Sequence, residues 1–345
     1  MSNPYSLVFG KAPGQLISRS SQSIAVTEAF CDDHPTQQIF IITGVRGSGK
    51  TVFMNDIAKS IGRLKDWIVV ELNPERDMLE ALASKLTSEN TFARIFKEAK
   101  INLSLFGIGL EVKGTVPVTD IEVALEKMLT SLQNKGKRLL ITVDEAVNSK
   151  EMRVFAGTFQ MMIRKDIPLF LLMTGLYENI NDIQNEKSLT FLYRAPKIEL
   201  SPLNIRAIAD NYKKNCNVSE NTAMEMARMT KGYSFAFQVL GHFTWKNNGF
   251  NEDTIQDFRQ YLEDYAYEKI WLEMSAGDKK VAYGIANVPD GKIINIRKFL
   301  ELETNQFNPY RKRLIKKGII DGSTHGYVTF TLPFFGEYVL YNYDL

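Results

Sequence analysis

A chain of 345 residues with 44% hydrophobic and 24% charged side chains can build two or three folded domains, which excludes a fibrous or disordered polymer. Its formal net charge of +2 excludes nucleic-acid binding driven by bulk charge, so any basic surface has to be local. The two cysteines, Cys31 and Cys216, lack metal-ligand or redox spacing and read as small buried hydrophobes in a reducing compartment.

The opening Met1-Ser-Asn-Pro-Tyr5 has no basic stretch followed by an apolar core, so no signal peptide is expected. The apolar runs 39–43 and 168–173 fall far short of the roughly 20 residues that span a bilayer. These features predict a cytoplasmic protein without a membrane partner. Residues 1–36 are polar with a few apolar anchors and one helix near 21–30. The isoleucine-rich run 38–43 reads as a buried parallel strand, followed by a helix over 50–61. A second strand is expected at 67–72 and a helix at 78–86. Residues 101–114 are apolar, glycine-containing and roughly alternating, and predict a hairpin insertion. A helix at 121–134, a strand at 138–143, a helix at 150–164, and strands at 168–173 and 197–200 complete the pattern. Strands alternating with helices predict an α/β fold, a doubly wound parallel sheet with helices on both faces. After Pro202 the strands stop, and helices are expected over 203–214, 220–229, 235–245 and 252–274.

Between the first strand and its helix stands Gly44-Val45-Arg46-Gly47-Ser48-Gly49-Lys50-Thr51, a full G-x-x-x-x-G-K-[ST] motif. Glycines let such a loop curl until its backbone N–H groups point at phosphate oxygens, and the following helix adds the positive end of its dipole. Lys50 is placed to reach the β- and γ-phosphates, and the Thr51 hydroxyl to bind Mg²⁺. ATP or ADP with Mg²⁺ is therefore the expected ligand of residues 44–51. Arg46 reads as a solvated side chain. The strand 138–143 ends in Asp144 and Glu145. The first acid suits water-mediated Mg²⁺ binding and the second suits a general base acting on the attacking water.

The phosphate loop, the Asp144-Glu145 strand, Met173-Thr174-Gly175 and Phe191-Leu-Tyr-Arg194-Ala-Pro resemble the AAA+ superfamily over roughly residues 15–265. Order and spacing are most similar to archaeal origin-recognition initiators and the related STAND-type ATPases. The resemblance implies a P-loop ATPase domain at 37–202 after an N-terminal segment at 1–36, then a helical lid at 203–270 and a winged helix-turn-helix at 271–345. It implies ATP hydrolysis, with Thr174 as the polar sensor at a strand end. Arg194 would be an arginine finger reaching a neighbour's nucleotide in a homo-oligomer. Arg19, in Arg19-Ser-Ser-Gln22, resembles the N-terminal box near the adenine. The chain departs from the pattern at Lys231-Gly232-Tyr233-Ser234-Phe235, where phenylalanine stands in place of the lid arginine. That stretch is closer to the Gly-x-Pro lid turn of STAND ATPases, with Ser234 replacing proline.

At the C-terminal end, helices are expected at 278–285 and 296–302, the second capped by Asn295. A third is expected to start at Asn308-Pro309 and stop at Gly318. The third carries Arg311, Lys312, Arg313, Lys316 and Lys317, and a β-hairpin with its turn at 321–326 follows, with His325 a solvated turn residue. Such a unit places its third helix in the major groove, so duplex DNA is the expected partner of those five side chains. Two alternatives remain open. One is a nucleotide-switched signalling ATPase whose winged helix binds protein. The other is a DNA-targeting ATPase that recruits a partner effector enzyme.

Overall fold

The computed structural model describes residues 2–8 and 14–343. Residues 1, 9–13 and 344–345, which include parts of the segments expected at 1–36 and 271–345, lie outside the described residues. The chain forms two compact units. One comprises residues 20–43 and 53–199, and the other residues 1–19, 44–52 and 200–345.

The first unit begins with α1 (Ser20–Cys31) and is organised on strand β1 (Ile39–Thr43) and helix α2 (Lys50–Gly62), whose residues from Phe53 onward belong here. There follow β2 (Trp67–Leu72), α3 (Met78–Ser88), α4 (Asn90–Glu98), α5 (Ile121–Gln133), β3 (Arg138–Val143), α6 (Lys150–Ile163), β4 (Leu169–Gly175), α7 (Tyr177–Asn185) and β5 (Lys197–Glu199). The strands form one sheet in the order β2-β3-β4-β1-β5, and every pairing is parallel. The expected α/β sheet is therefore present. β4 explains why such strands are continuously apolar. Leu169, Leu171 and Met173 enter the core shared with α3, α5 and α6, while Phe170 and Leu172, equally buried, face the other side. On that second side the Phe30 ring lies 5.2 Å from Phe40 and 5.3 Å from Phe170, and Trp67 lies 4.8 Å from Phe170. Two covered faces leave no position for alternating polar residues.

The hairpin expected at 101–114 is absent. That stretch is an irregular loop with one short 3₁₀ turn, Ser104–Phe106. Buried Asn102 organises it, donating to the carbonyls of Val112 (3.4 Å) and Thr115 (3.1 Å) and accepting from the Ser104 N–H (3.1 Å). Gly107, Gly109 and Gly114 adopt positive φ, which breaks the extended run that a hairpin needs. The alternation instead reflects Leu103 and Leu110 pointing into the core.

The second unit contains α8 (Ile205–Asn215), α9 (Glu220–Met229), α10 (Ser234–Lys246) and α11 (Glu252–Leu262). A π-turn at Glu263–Tyr267 joins α11 to α12 (Glu268–Leu272). Then come α13 (Ala276–Asn287), α14 (Ile293–Leu300), α15 (Thr304–Lys316), β6 (Ile320–Asp321), β7 (Thr329–Phe330) and α16 (Phe335–Asn342). Tyr5, only 3% exposed, belongs to the same core, with its ring 5.7 Å from Phe237 and its hydroxyl bonded to Asn211.

In the C-terminal module, from residue 271 on, three helix starts differ from expectation. α13 starts at Ala276 because Ser275 and Asp278 form a reciprocal capping box. α14 starts at Ile293, and Asn295 spends its amide on Asp290 (2.7 Å) rather than capping the helix. α15 starts four residues before Asn308, from a Glu303–Gln306 capping box, and Pro309 lies inside it. Buried Phe307 secures that additional first turn. β6 and β7 pair antiparallel, and Tyr327 bridges to Lys292. Among the described residues no helix is long and apolar enough to cross a membrane.

Candidate functional site

Gly44, Gly47 and Gly49 all have positive φ, at 156°, 71° and 91°. This is the curled backbone that a phosphate-binding loop requires, and side chains rarely tolerate it. The Lys50 ammonium lies over the loop, donating to the carbonyls of Gly44 and Val45 at 3.1 Å each. Thr51 follows in the first turn of α2. Ser48 Oγ is buried inside the loop without a hydrogen-bond partner. Positive-φ glycines, an ammonium at the loop and an orphaned hydroxyl are a donor set that fits polyphosphate.

The outward side of the loop is held by residues 233–235. The Tyr233 hydroxyl donates to the Arg46 carbonyl (2.6 Å), the Phe235 N–H to the Gly47 carbonyl (3.0 Å), and Ser234 Oγ to the Ser48 carbonyl (2.9 Å). A Cβ on Gly47 would overlap the Tyr233 phenol oxygen and lie 2.8 Å from Phe235 Cβ. Arg19 joins the cluster through Nη2 to the Ser48 carbonyl (3.0 Å) and Ser234 Oγ (3.1 Å), and through Nε to the Ser201 carbonyl (2.8 Å). Burial draws the Arg19 pKa down to about 10 and pushes the Tyr233 phenol well above its ordinary value. Arg46 is not simply solvated, because it pairs with Glu273 at 2.8 Å. Val45 packs against the apolar core of the second unit, and a Cβ on Gly318 would stand 3.5 Å from the Val45 nitrogen.

In the first unit, Asp144 and Glu145 follow the last residue of β3, beside Thr174 of β4. The Thr174 hydroxyl donates to Asp144 Oδ1 in a very short contact and accepts from the Glu145 N–H at 3.1 Å. The Glu145 N–H also reaches Asp144 Oδ1 at 3.1 Å, and the Ala146 N–H bonds to the Thr174 carbonyl at 2.8 Å. Glu145 is exposed and has φ of +52°, a left-handed conformation that is uncommon outside glycine and turns the acid out of the strand line. Thr174 is fully buried and its single proton is committed to Asp144. Arg194 ends the 3₁₀ segment Lys187–Arg194 and is exposed, and its side chain makes no hydrogen bond or ion pair among the described residues.

The five basic side chains of the C-terminal module do not form one surface. Asp278 is 1% exposed, yet Arg313 Nε lies 2.8 Å from its Oδ1 and Lys317 Nζ 3.4 Å from its Oδ2. Arg313 also donates to Ser275 Oγ (2.7 Å). Burial pulls the Lys317 pKa down even beside that carboxylate. Arg313 and Lys317 are thus spent on internal structure. Arg311 is half-buried, with a buried Nε that has no partner, while Lys312 and Lys316 are exposed. His325 is exposed, as expected of a turn residue. Of the cysteines, Cys216 is buried and Cys31 only partly so, and both are free thiols. The described residues hold no cluster of three His, Cys, Asp or Glu side chains that could bind a metal alone.

A family model described as a domain of unknown function (DUF8462) matches residues 264–339. No curated protein matches the chain. Among solved structures, it is similar to a Walker-type ATPase of Pyrococcus abyssi, with 16% identity, 94% of this chain and 96% of that one covered, and a TM-score of 0.62. It is also similar to the ORC2 protein of Aeropyrum pernix in its ADPNP–ADP complexes, with 13% identity, 97% and 95% coverage and a TM-score of 0.59. The ADP form of that protein gives 12% identity, 91% and 89% coverage and a TM-score of 0.52. With its parallel five-stranded sheet and largely helical C-terminal part, this protein has the fold of these Walker-type ATPase and ORC2 structures.

Proposed function

We propose that this protein binds ATP with Mg²⁺ in the 44–51 loop, hydrolyses it slowly, and contacts duplex DNA through a winged helix-turn-helix in its C-terminal module. The observation that carries the nucleotide reading is the curled loop, with three positive-φ glycines, the Lys50 ammonium over it and the orphaned Ser48 hydroxyl inside it. The Aeropyrum relative in its ADPNP–ADP complexes supports the same ligand class. Backbone N–H groups of Gly47, Ser48 and Gly49 would cradle the β-phosphate, and Lys50 would bridge β and γ. Thr51 and Asp144 would hold Mg²⁺, which supplies charge neutralisation on the phosphates when bound. Glu145, exposed and turned outward, would take the proton of the attacking water. Thr174 has no proton left for phosphate, so it would act by fixing Asp144 and the Glu145 backbone. Arg194, exposed and without a partner, would complete a neighbouring protomer's site in an oligomer formed on ATP.

The DNA reading rests on α15, with Lys312 and Lys316 exposed, followed by the β6–β7 hairpin. A second reading, the nucleotide-switched signalling ATPase, is favoured by a different observation. The loop residues Val45 and Arg46 lie against Gly318 and Glu273, on the two sides of α13–α15 in sequence.

Nucleotide-induced thermal stabilisation tests the core of this reading, because a ligand bound to the native state raises its apparent stability. Wild type should gain stability with ATP·Mg²⁺ and Lys50→Ala should not. Glu145→Gln should keep the gain and lose turnover. An equal ATP shift in Lys50→Ala rejects the site, and undiminished hydrolysis in Glu145→Gln rejects the base.

A further inference from the structure

Arg46 stands inside the phosphate loop, two residues after Gly44 and one before Gly47, yet its guanidinium is engaged by a carboxylate from the C-terminal half of the chain. Nη2 lies 2.8 Å from Glu273 Oε1, and Nε lies 3.3 and 3.4 Å from the two carboxylate oxygens. The backbone carbonyl of the same residue accepts from the buried Tyr233 hydroxyl at 2.6 Å. The backbone of Arg46 is therefore held by Tyr233 while its guanidinium meets Glu273.

Glu273 is an unusual place for an acid. It is the C-cap of α12, where the helix dipole disfavours negative charge. Its compensation comes from Arg46 and, at 3.8 Å, from Lys269 one turn earlier. Both members of the Arg46–Glu273 pair are about one-third exposed, at 37% and 35%. An ion pair this open to water is weak and readily exchanged.

A bound polyphosphate would present a second anion to the same guanidinium. Arg46 stands in the same loop as Lys50, four residues before the side chain that would reach the β- and γ-phosphates. Guanidinium binds phosphate through parallel N–H donors, and a terminal phosphate carries more charge than a carboxylate. One guanidinium cannot satisfy both anions fully. We propose that Glu273 is an intramolecular competitor for Arg46, holding it away from the terminal phosphate and thereby setting how strongly the site prefers ATP over ADP. The proposal rests on the nucleotide reading above.

The test is a double-mutant cycle on the full chain, with Kd for ATP·Mg²⁺ and ADP·Mg²⁺ measured by titration calorimetry. Glu273→Gln should tighten ATP by about two- to fivefold, the range of an exposed ion pair, and change ADP less. In an Arg46→Gln background the same Glu273→Gln change should have no effect. Arg46→Gln alone reads the other half and should weaken ATP more than ADP, so a poorly folded Glu273 variant does not remove the test. An equal gain for both nucleotides, no gain, or a gain that persists without Arg46 overturns the proposal while wild-type binding leaves the nucleotide reading intact. Absence of binding by wild type overturns that reading and the proposal together.

Discussion

Arg313 Nε lies 2.8 and 3.0 Å from the two carboxylate oxygens of Asp278, joining α15 to the first turn of α13 through an acid that is 1% exposed. The same acid receives the Ser275 N–H in the capping box and faces the buried Lys317 ammonium. Removing its charge would take a shared carboxylate from both cations in a buried setting. We expect Asp278→Asn to destabilise the C-terminal module by about 3 kcal/mol, the lower end for breaking a buried pair. Urea denaturation would show it, and Asp278→Asn combined with Lys317→Met should recover part of the loss.

That pairing redirects the DNA experiment. Replacing Arg313 confounds binding with folding, whereas Lys312 and Lys316 are exposed. Lys312→Glu with Lys316→Glu should abolish low-salt binding to labelled duplex in fluorescence anisotropy, while ATP hydrolysis without DNA stays unchanged. Wild-type affinity should fall with salt at a log–log slope of about −0.9 per phosphate contact. Unchanged binding by the double variant would pass the module to the protein-binding reading.

The grip of residues 233–235 on the loop gives a third expectation. Tyr233→Phe leaves the Arg46 carbonyl without its donor, a loss of about 1–2 kcal/mol in stability. Gly47→Ala adds a Cβ where φ is +71° and Tyr233 and Phe235 already stand. It should weaken ATP binding by at least about tenfold, since the added strain is of the order of 1.4 kcal/mol or more. Urea denaturation of Tyr233→Phe checks the first, and calorimetric titration of Gly47→Ala with ATP·Mg²⁺ the second.

Burial raises the phenols of Tyr212, Tyr233 and Tyr267 above the ordinary tyrosine value of about 10. Below that value folded and unfolded phenols are both neutral and the contribution is fully present. As pH rises above about 10 the unfolded chain ionises first, so stability is lost. Melting temperature should therefore fall steeply above pH 10, and tyrosinate absorbance from these residues should appear only with unfolding. Early, non-cooperative tyrosinate formation by all tyrosines would contradict the burial.

Arg194 is exposed and unpartnered, which suits action on a neighbouring protomer. Arg194→Ala and Lys50→Ala should each be inactive alone, and mixing them should restore part of the ATPase rate, because some interfaces combine an intact loop with an intact arginine. A mixture as inactive as its components, with assembly intact, would remove Arg194 from that role.

What the sequence determined by itself is whatever depends on neighbours along the chain. The parallel strands were legible because burial on both faces makes 39–43, 138–143 and 169–173 largely apolar. The loop 44–51 was legible because its backbone geometry demands glycine at set spacing, and Asp144-Glu145 because they end a strand. Signals that are also local but have two readings misled. The alternation in 101–114 came from Leu103 and Leu110 anchoring a loop around Asn102, and Asn308-Pro309 looked like a helix start although Glu303 and Gln306 cap α15 earlier. Tertiary structure alone decided the partners of charge. Arg46 meets Glu273 across 227 residues, Arg313 meets Asp278 across 35, and Arg19 reaches Ser234 across 215. Coulomb attraction and hydrogen bonding act over a few ångströms in space and leave no periodicity in the chain, so a basic run reads the same whether its side chains face solvent or close on a buried carboxylate.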